Sequence, residues 1–187
     1  MVMASELRPG AAVRFDARCW RVLAVDVHGG TGQTKGVVRT RLVDLETHGE
    51  TDHRFRLDER VEEVEVLVRR MSYLYREGEL YVFMDRETFE QVPLPGELLG
   101  AYKPFLQPDA EIDVEFLGER AVGCRTPAIV EARVKETAAV QHAHESSVWK
   151  DAVLENGLKI HVPLFIAPGE RIRVDLRTQR YHDRARR

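Results

Sequence analysis

Apolar and polar residues alternate with a period near two through most of the chain, the pattern of half-buried β-strands. Ala12-Val-Arg-Phe15 and Cys19-Trp-Arg-Val-Leu-Ala-Val-Asp-Val27 mix β-branched and aromatic residues with charges. His28-Gly-Gly-Thr-Gly-Gln-Thr-Lys-Gly36 breaks the pattern, and Val37-Val-Arg-Thr-Arg-Leu-Val-Asp-Leu45 resumes it with Arg39 and Arg41 on one face. These segments predict a hairpin with a mobile, glycine-rich tip. Further strands are predicted at 50–57, 61–75, 79–85, 112–116, 129–135, 159–162 and 171–176. Helical periodicity is scarce, and Pro93, Pro95, Pro104 and Pro108 restrict the long middle stretch to a short helix or loops. Short strands at close spacing predict an all-β chain of small barrels.

An internal echo bears on how many barrels there are. Pro108-Asp-Ala-Glu-Ile-Asp-Val-Glu-Phe116 lines up, sixty positions on, with Pro168-Gly-Glu-Arg-Ile-Arg-Val-Asp-Leu176, so that Ile112, Val114 and Phe116 match Ile172, Val174 and Leu176. A repeat of that length predicts two related barrels behind a third, N-terminal one. The expected domains are 1–64, 65–127 and 128–187. A chain of 187 residues has room for them.

Charge narrows the function. The net charge of −3 excludes a uniformly basic, non-specific nucleic-acid binder. The three expected domains differ, however: Lys+Arg against Asp+Glu runs 10 to 11, then 7 to 12, then 11 to 8. Arg39, Arg41, Arg54 and Arg56 are candidates for phosphate contacts, against the plainer reading of solvated strand charges. Cys19 and Cys124 stand far apart without metal-ligand or disulfide-framework spacing, which fits inert thiols in a reducing, cytoplasmic compartment. The first ten residues meet charge and a Pro-Gly turn before any apolar run of signal-peptide length, and no stretch of about 18 apolar residues offers a membrane span.

Other chemistries find little support. His142, His144 and Glu145 have no further Cys/His cluster to complete a tetrahedral site, so no metal is expected. The glycine-rich segment lacks the Gly-Lys-Ser/Thr ending of a phosphate loop and sits between strands. Ser72, Ser146 and Ser147 have no nucleophile-elbow context, and no enzyme activity or cofactor is expected.

The stretch Lys150-Asp-Ala-Val-Leu-Glu-Asn-Gly157-Leu-Lys-Ile-His-Val-Pro163-Leu-Phe-Ile-Ala-Pro-Gly169 resembles the C-terminal signature of the bacterial elongation factor P family, carried by Lys150, Ala152, Gly157, Ile160, Val162, Pro163, Ile166 and Gly169. Tyr73-Leu-Tyr75, Gly78, Tyr81-Val-Phe-Met-Asp85 and Glu87-Thr-Phe-Glu-Gln91 resemble the family's middle domain, so the likeness spans the chain. It implies three β-barrels in an L shape: an N-terminal SH3-like KOW-type barrel followed by two OB-folds. It also implies a monomer that binds the ribosome, its RNA and proteins, and peptidyl-tRNA between the peptidyl-tRNA and exit sites, promoting peptide-bond formation on stalled polyproline sequences. Gly30, Thr31, Gly32, Gln33, Thr34 and Lys35 would form the tip that reaches the tRNA acceptor end. Tyr181 and Arg184 resemble a family Tyr-x-x-Arg pair near the decoding side.

Two departures from the family stand out. The family carries a modified Lys or Arg at the tip, whereas here counting from Trp20 selects Gly32, counting back from Leu45 selects Gln33, and the Gly-x-Gly-Gln pattern selects Thr31. None can carry an amine modification. The reading favours an unmodified tip working through backbone and Gln33 amide contacts, with Lys35 as the basic substitute. The family's Gly-Asp-Thr-Ala type loop is replaced by Thr137-Ala-Ala-Val-Gln-His-Ala-His-Glu-Ser-Ser-Val148, as in a divergent paralogue. The rival is a generic KOW/OB-fold RNA-binding protein without a peptidyl-transferase role.

Overall fold

A computed structural model describes residues 1–29, 36–138 and 148–185. The described strands are β1 (Val2–Met3), β2 (Ala12–Phe15), β3 (Arg18–His28), β4 (Val37–Asp44), β5 (Glu50–Arg56), β6 (Arg60–Glu63), β7 (Leu67–Glu77), β8 (Leu80–Asp85), β9 (Gln91–Pro95), β10 (Glu111–Leu117), β11 (Arg120–Arg125), β12 (Ile129–Thr137), β13 (Trp149–Leu154), β14 (Lys159–Pro163), β15 (Arg171–Asp175) and β16 (Arg180–Arg184). They form three sheets with orders β1-β6-β2-β3-β4-β5, β11-β10-β7-β8-β9 and β14-β13-β12-β15-β16. The chain is all-β, as its alternation predicts. Its described helices are 3₁₀ turns at Ala4–Glu6 and Gly100–Phe105 and one α-turn, α1 (Gly96–Leu99), and none is long and apolar enough to cross a membrane.

Two compact units result, Met1–Arg69 with Val114–Gly123 and Arg70–Asp113 with Cys124–Arg187. In the first, Val13, Trp20, Val22, Val38, Leu42, Phe55 and Val61 make one core. A smaller cluster gathers Ala12, Leu45 and Val122. Buried Glu115 accepts Arg21, and Arg120 reaches Glu46 at 2.9 Å. In the second unit, Val134, Leu154, Ile160, Val162, Ile166, Ile172 and Val174 are buried along the last sheet.

Two turns recur in all three sheets. In the first, Pro9-Gly10, Pro108-Asp109 and Pro168-Gly169 lead into strands. The N–H groups of Ala11, Ala110 and Glu170 donate to the carbonyls of Arg8, Gln107 and Ala167, closing type II turns whose third residue has φ of +93°, +62° and +85°. The N–H groups of Gly10, Asp109 and Gly169 then donate to the carbonyls of Val22, Tyr73 and Val134. A bulge follows each of those three residues. The echo between 108–116 and 168–176 thus marks equivalent turns, and a third copy lies at Pro9.

The second shared turn is Asp-x-x-Thr. Asp44 Oδ1 accepts the N–H groups of Glu46 and Thr47 at 2.7 and 3.0 Å; Asp85 Oδ1 accepts Glu87 and Thr88 at 2.8 and 3.2 Å; Asp175 Oδ1 accepts Arg177 and Thr178 at 2.8 and 3.1 Å. Each closes on a residue of positive φ: His48, Phe89 and Gln179.

Three expectations need correction. The single strand predicted at 61–75 is two, because β6 pairs with β2 in the first sheet while β7 pairs with β8 in the second; unbroken alternation carries no mark of a change of sheet. Pro93 and Pro95 do not exclude a strand, because β9 lies at a sheet edge, where a missing N–H costs no ladder bond. Finally, β11, β13 and β16 are strands that the alternation did not single out.

Candidate nucleic-acid interface

Alternation along β4 and β5 decides which side chains face solvent. Val38, Thr40 and Leu42 point into the core from β4, and Phe55 does so from β5. Half-buried His53 lies between Phe15 and Phe55, at ring-centroid distances of 4.5 and 4.4 Å, and Phe15 stacks on Trp20 at 5.2 Å. With that face fixed, Arg39, Arg41, Arg54 and Arg56 all emerge on the other.

The ladder sets Val37 opposite Arg56, Arg39 opposite Arg54 and Arg41 opposite Asp52. The four arginines therefore share a face but differ in what holds them. Arg56 donates to both Asp58 oxygens at 3.1 and 2.7 Å, which raises its already high pKa. Arg41 Nε lies 3.7 Å from Asp52. Among the described residues, Arg39 and Arg54 form no ion pair. Asp26, opposite Arg39 on β3, has its carboxylate 2.9 Å from His28 Nε2. Two guanidinium groups directly opposite each other repel, and an anion seated between them would relieve that repulsion.

This pair spans β4 and β5, and β4 pairs on its other side with β3 in a ribbon that runs out to His28 and Val37. From Ala24 to His28 no residue of β3 is fully buried, whereas Val38, opposite Val27 on β4, belongs to the core. Gly30, Thr31, Gly32, Gln33, Thr34 and Lys35 lie outside the described residues, as do His142, His144, Glu145 and most of the altered loop at 137–148. Among the described residues no group of three or more His, Cys, Asp or Glu is placed to hold a metal.

Tyr181 and Arg184 sit together on β16, in a different sheet from the four arginines. Arg184 is already engaged: Nε and Nη2 donate to Glu170 at 2.9 and 3.1 Å, and its guanidinium lies 5.2 Å from the Phe165 ring centroid. Arg173 is held by Asp183, with its pKa raised by that hydrogen bond. Burial, with Asp183 nearby, pushes the Tyr181 phenol above its ordinary pKa, so its hydroxyl remains a donor at neutral pH. Tyr181 also meets Trp149 edge-on, with centroids 6.2 Å apart. Trp149 and Phe165 are exposed aromatics beside this pair that the sequence reading did not single out. Their signal was available, since one precedes the C-terminal signature and the other lies within it.

The sequence matches the family models for the elongation factor P KOW-like domain over residues 3–61, the elongation factor P OB domain over 66–124 and the elongation factor P C-terminal domain over 130–184. Elongation factor P of Nitrosospira multiformis is 36% identical over 185 residues, covering 98% of both chains. That of Thermotoga maritima is 37% identical over 186 residues, covering 99% of this chain and all of its own. Among solved structures, the eukaryotic translation initiation factor 5A from Methanococcus jannaschii superposes with a TM-score of 0.53 at 19% identity, covering 66% of this chain and 89% of that one, a likeness of fold.

Proposed function

Because the chain belongs to the elongation factor P family, whose members are translation elongation factors, we propose that it binds the ribosome between the peptidyl-tRNA and exit sites and promotes peptide-bond formation on stalled polyproline sequences. Its three domains are 1–64, 65–127 and 128–187. The ribosome supplies the chemistry and this protein supplies position. Proline's fixed φ and missing N–H make a prolyl peptidyl-tRNA a poorly oriented reactant, and holding its acceptor end lowers the entropic part of the barrier. The β3–β4 ribbon presents residues 30–35 to that end.

The observation that carries this reading is the Arg39–Arg54 pair. Two cations that form no ion pair among the described residues, Arg39 on the strand that follows the glycine-rich segment and Arg54 opposite it on β5, suit a phosphate of the tRNA backbone. Phosphate contacts would fix the register of the ribbon, leaving the glycine-rich segment to approach the acceptor end closely.

A reconstituted translation assay on a polyproline template tests the reading. The protein is expected to relieve the stall, and deletion of residues 30–35 is expected to abolish relief while ribosome binding persists. Binding to free RNA with no effect on stalling would instead identify the generic KOW/OB-fold RNA-binding protein.

A further inference from the structure

The segment Glu87-Thr-Phe-Glu-Gln91 has no part in the function above, yet its geometry is unusual. It closes the β8–β9 hairpin with the Asp-x-x-Thr turn that the other two sheets also use. The residue that ends this turn is left-handed in all three copies, at φ +57° for His48, +60° for Phe89 and +54° for Gln179. Asn or Gly adopts that conformation at little cost, whereas a bulky side chain does not. His48 and Gln179 show that the turn closes equally well around a polar residue. Phe89 instead combines a strained backbone with an aromatic ring that is 69% exposed. Among the described residues that ring has no aromatic or cationic neighbour.

The surroundings of Phe89 are acidic. Glu87 and Glu90 flank it, both exposed and, among the described residues, without ion pairs. The one cation of the turn, Arg86, is neutralised by Glu111. Residues 65–127 as a whole carry 7 Lys+Arg against 12 Asp+Glu. Such a collar repels nucleic-acid phosphates and attracts a basic protein surface.

We propose that Phe89 is a docking anchor, seated in an apolar socket rimmed by Lys and Arg on a protein component of the ribosome, with Glu87 and Glu90 pairing to the rim. This rests on the ribosome-binding reading and adds to it a protein contact remote in sequence from the arginine ribbon. An aromatic ring buried at the centre of a small contact, ringed by polar groups that exclude water, is a common form of binding hot spot.

The test uses the full chain with stalled ribosomes. A photoreactive benzophenone amino acid in place of Phe89 is expected to cross-link to a Lys/Arg-rich protein. Phe89→Asn is expected to raise the melting temperature by about 1–3 °C, because Asn suits the left-handed backbone, while weakening ribosome affinity about tenfold or more. Glu87→Lys with Glu90→Lys is expected to slow association and to reduce its dependence on salt. Cross-links to RNA alone, no cross-link from a ribosome-bound protein, or unchanged affinity of Phe89→Asn would each overturn the anchor and leave the ribosome reading standing. Failure of the wild-type chain to sediment with ribosomes would overturn both.

Discussion

The first and last sheets each place two arginines directly opposite one another, Arg39 with Arg54 and Arg133 with Arg171, yet the two pairs are not equivalent. Around the second pair carboxylates gather: Glu155 lies 3.9 Å from Arg133, and Glu131 and Glu170 line the same cleft as Arg133, Arg171 and Arg184. Around the first, Asp26, the acid opposite Arg39, lies against His28 and forms no ion pair with Arg39. Residues 128–187 carry a surplus of three basic residues and residues 1–64 a deficit of one, so charge counting and local pairing point to different sheets. What attracts a phosphate is cationic surface whose neutralisation by the protein itself is incomplete.

The largest effect that sharpens this contrast is expected from Arg39→Glu with Arg54→Glu. Ribosome affinity should fall about 100-fold, and the slope of log affinity against log salt should become shallower by roughly one to two. Equilibrium sedimentation across a salt series measures both. The matched double change Arg133→Gln with Arg171→Gln should cost less than about threefold and leave the slope unaltered; an equal loss from the two doubles would break the comparison.

A second contrast concerns the turns of the same two sheets. Asp44 is buried, and there burial alone would raise its pKa; the N–H groups of Thr47 and Glu46, with Arg18, outweigh it and hold the carboxyl below its ordinary value. Asp175 is also held low, first by the Thr178 N–H. Both carboxyls therefore stabilise the fold fully above the ordinary carboxylate range, around pH 4, and that contribution is lost as pH falls through their folded values. Asp44→Ala should cost about 1–3 kcal/mol in chemical denaturation at pH 7, and Asp175→Ala distinctly less. Acid unfolding of the Asp44 variant should begin from a lower plateau and show a shallower dependence on pH. The smallest effect is expected for Arg184→Gln, whose guanidinium already satisfies Glu170: affinity should change by less than about twofold.

How much of this was legible in the sequence varies by element. The arginine face followed from alternation, because a strand that buries Val38, Thr40 and Leu42 must expose Arg39 and Arg41. The equivalence of the Pro108 and Pro168 turns was visible as an echo; its third copy at Pro9 was not, because Ala12 stands where the other copies have Glu111 and Arg171. The Asp-x-x-Thr turns were present in plain sequence but escape a search for glycine and proline, since their left-handed positions hold His, Phe and Gln. The edge position that tolerates Pro93 and Pro95 is a property of strand order, which no local window contains.

By itself, then, the sequence determined the β character, the face on which each charge emerges and the family, because period-two alternation and signature residues are local and need no partner. Only the tertiary structure decided which cations remain unneutralised and which left-handed turn exposes a ring. An ion pair joins residues such as Arg173 and Asp183, or Arg70 and Asp113, that only strand register brings within a hydrogen bond of each other. Charge is written in the sequence, but its screening is set by neighbours that the fold selects.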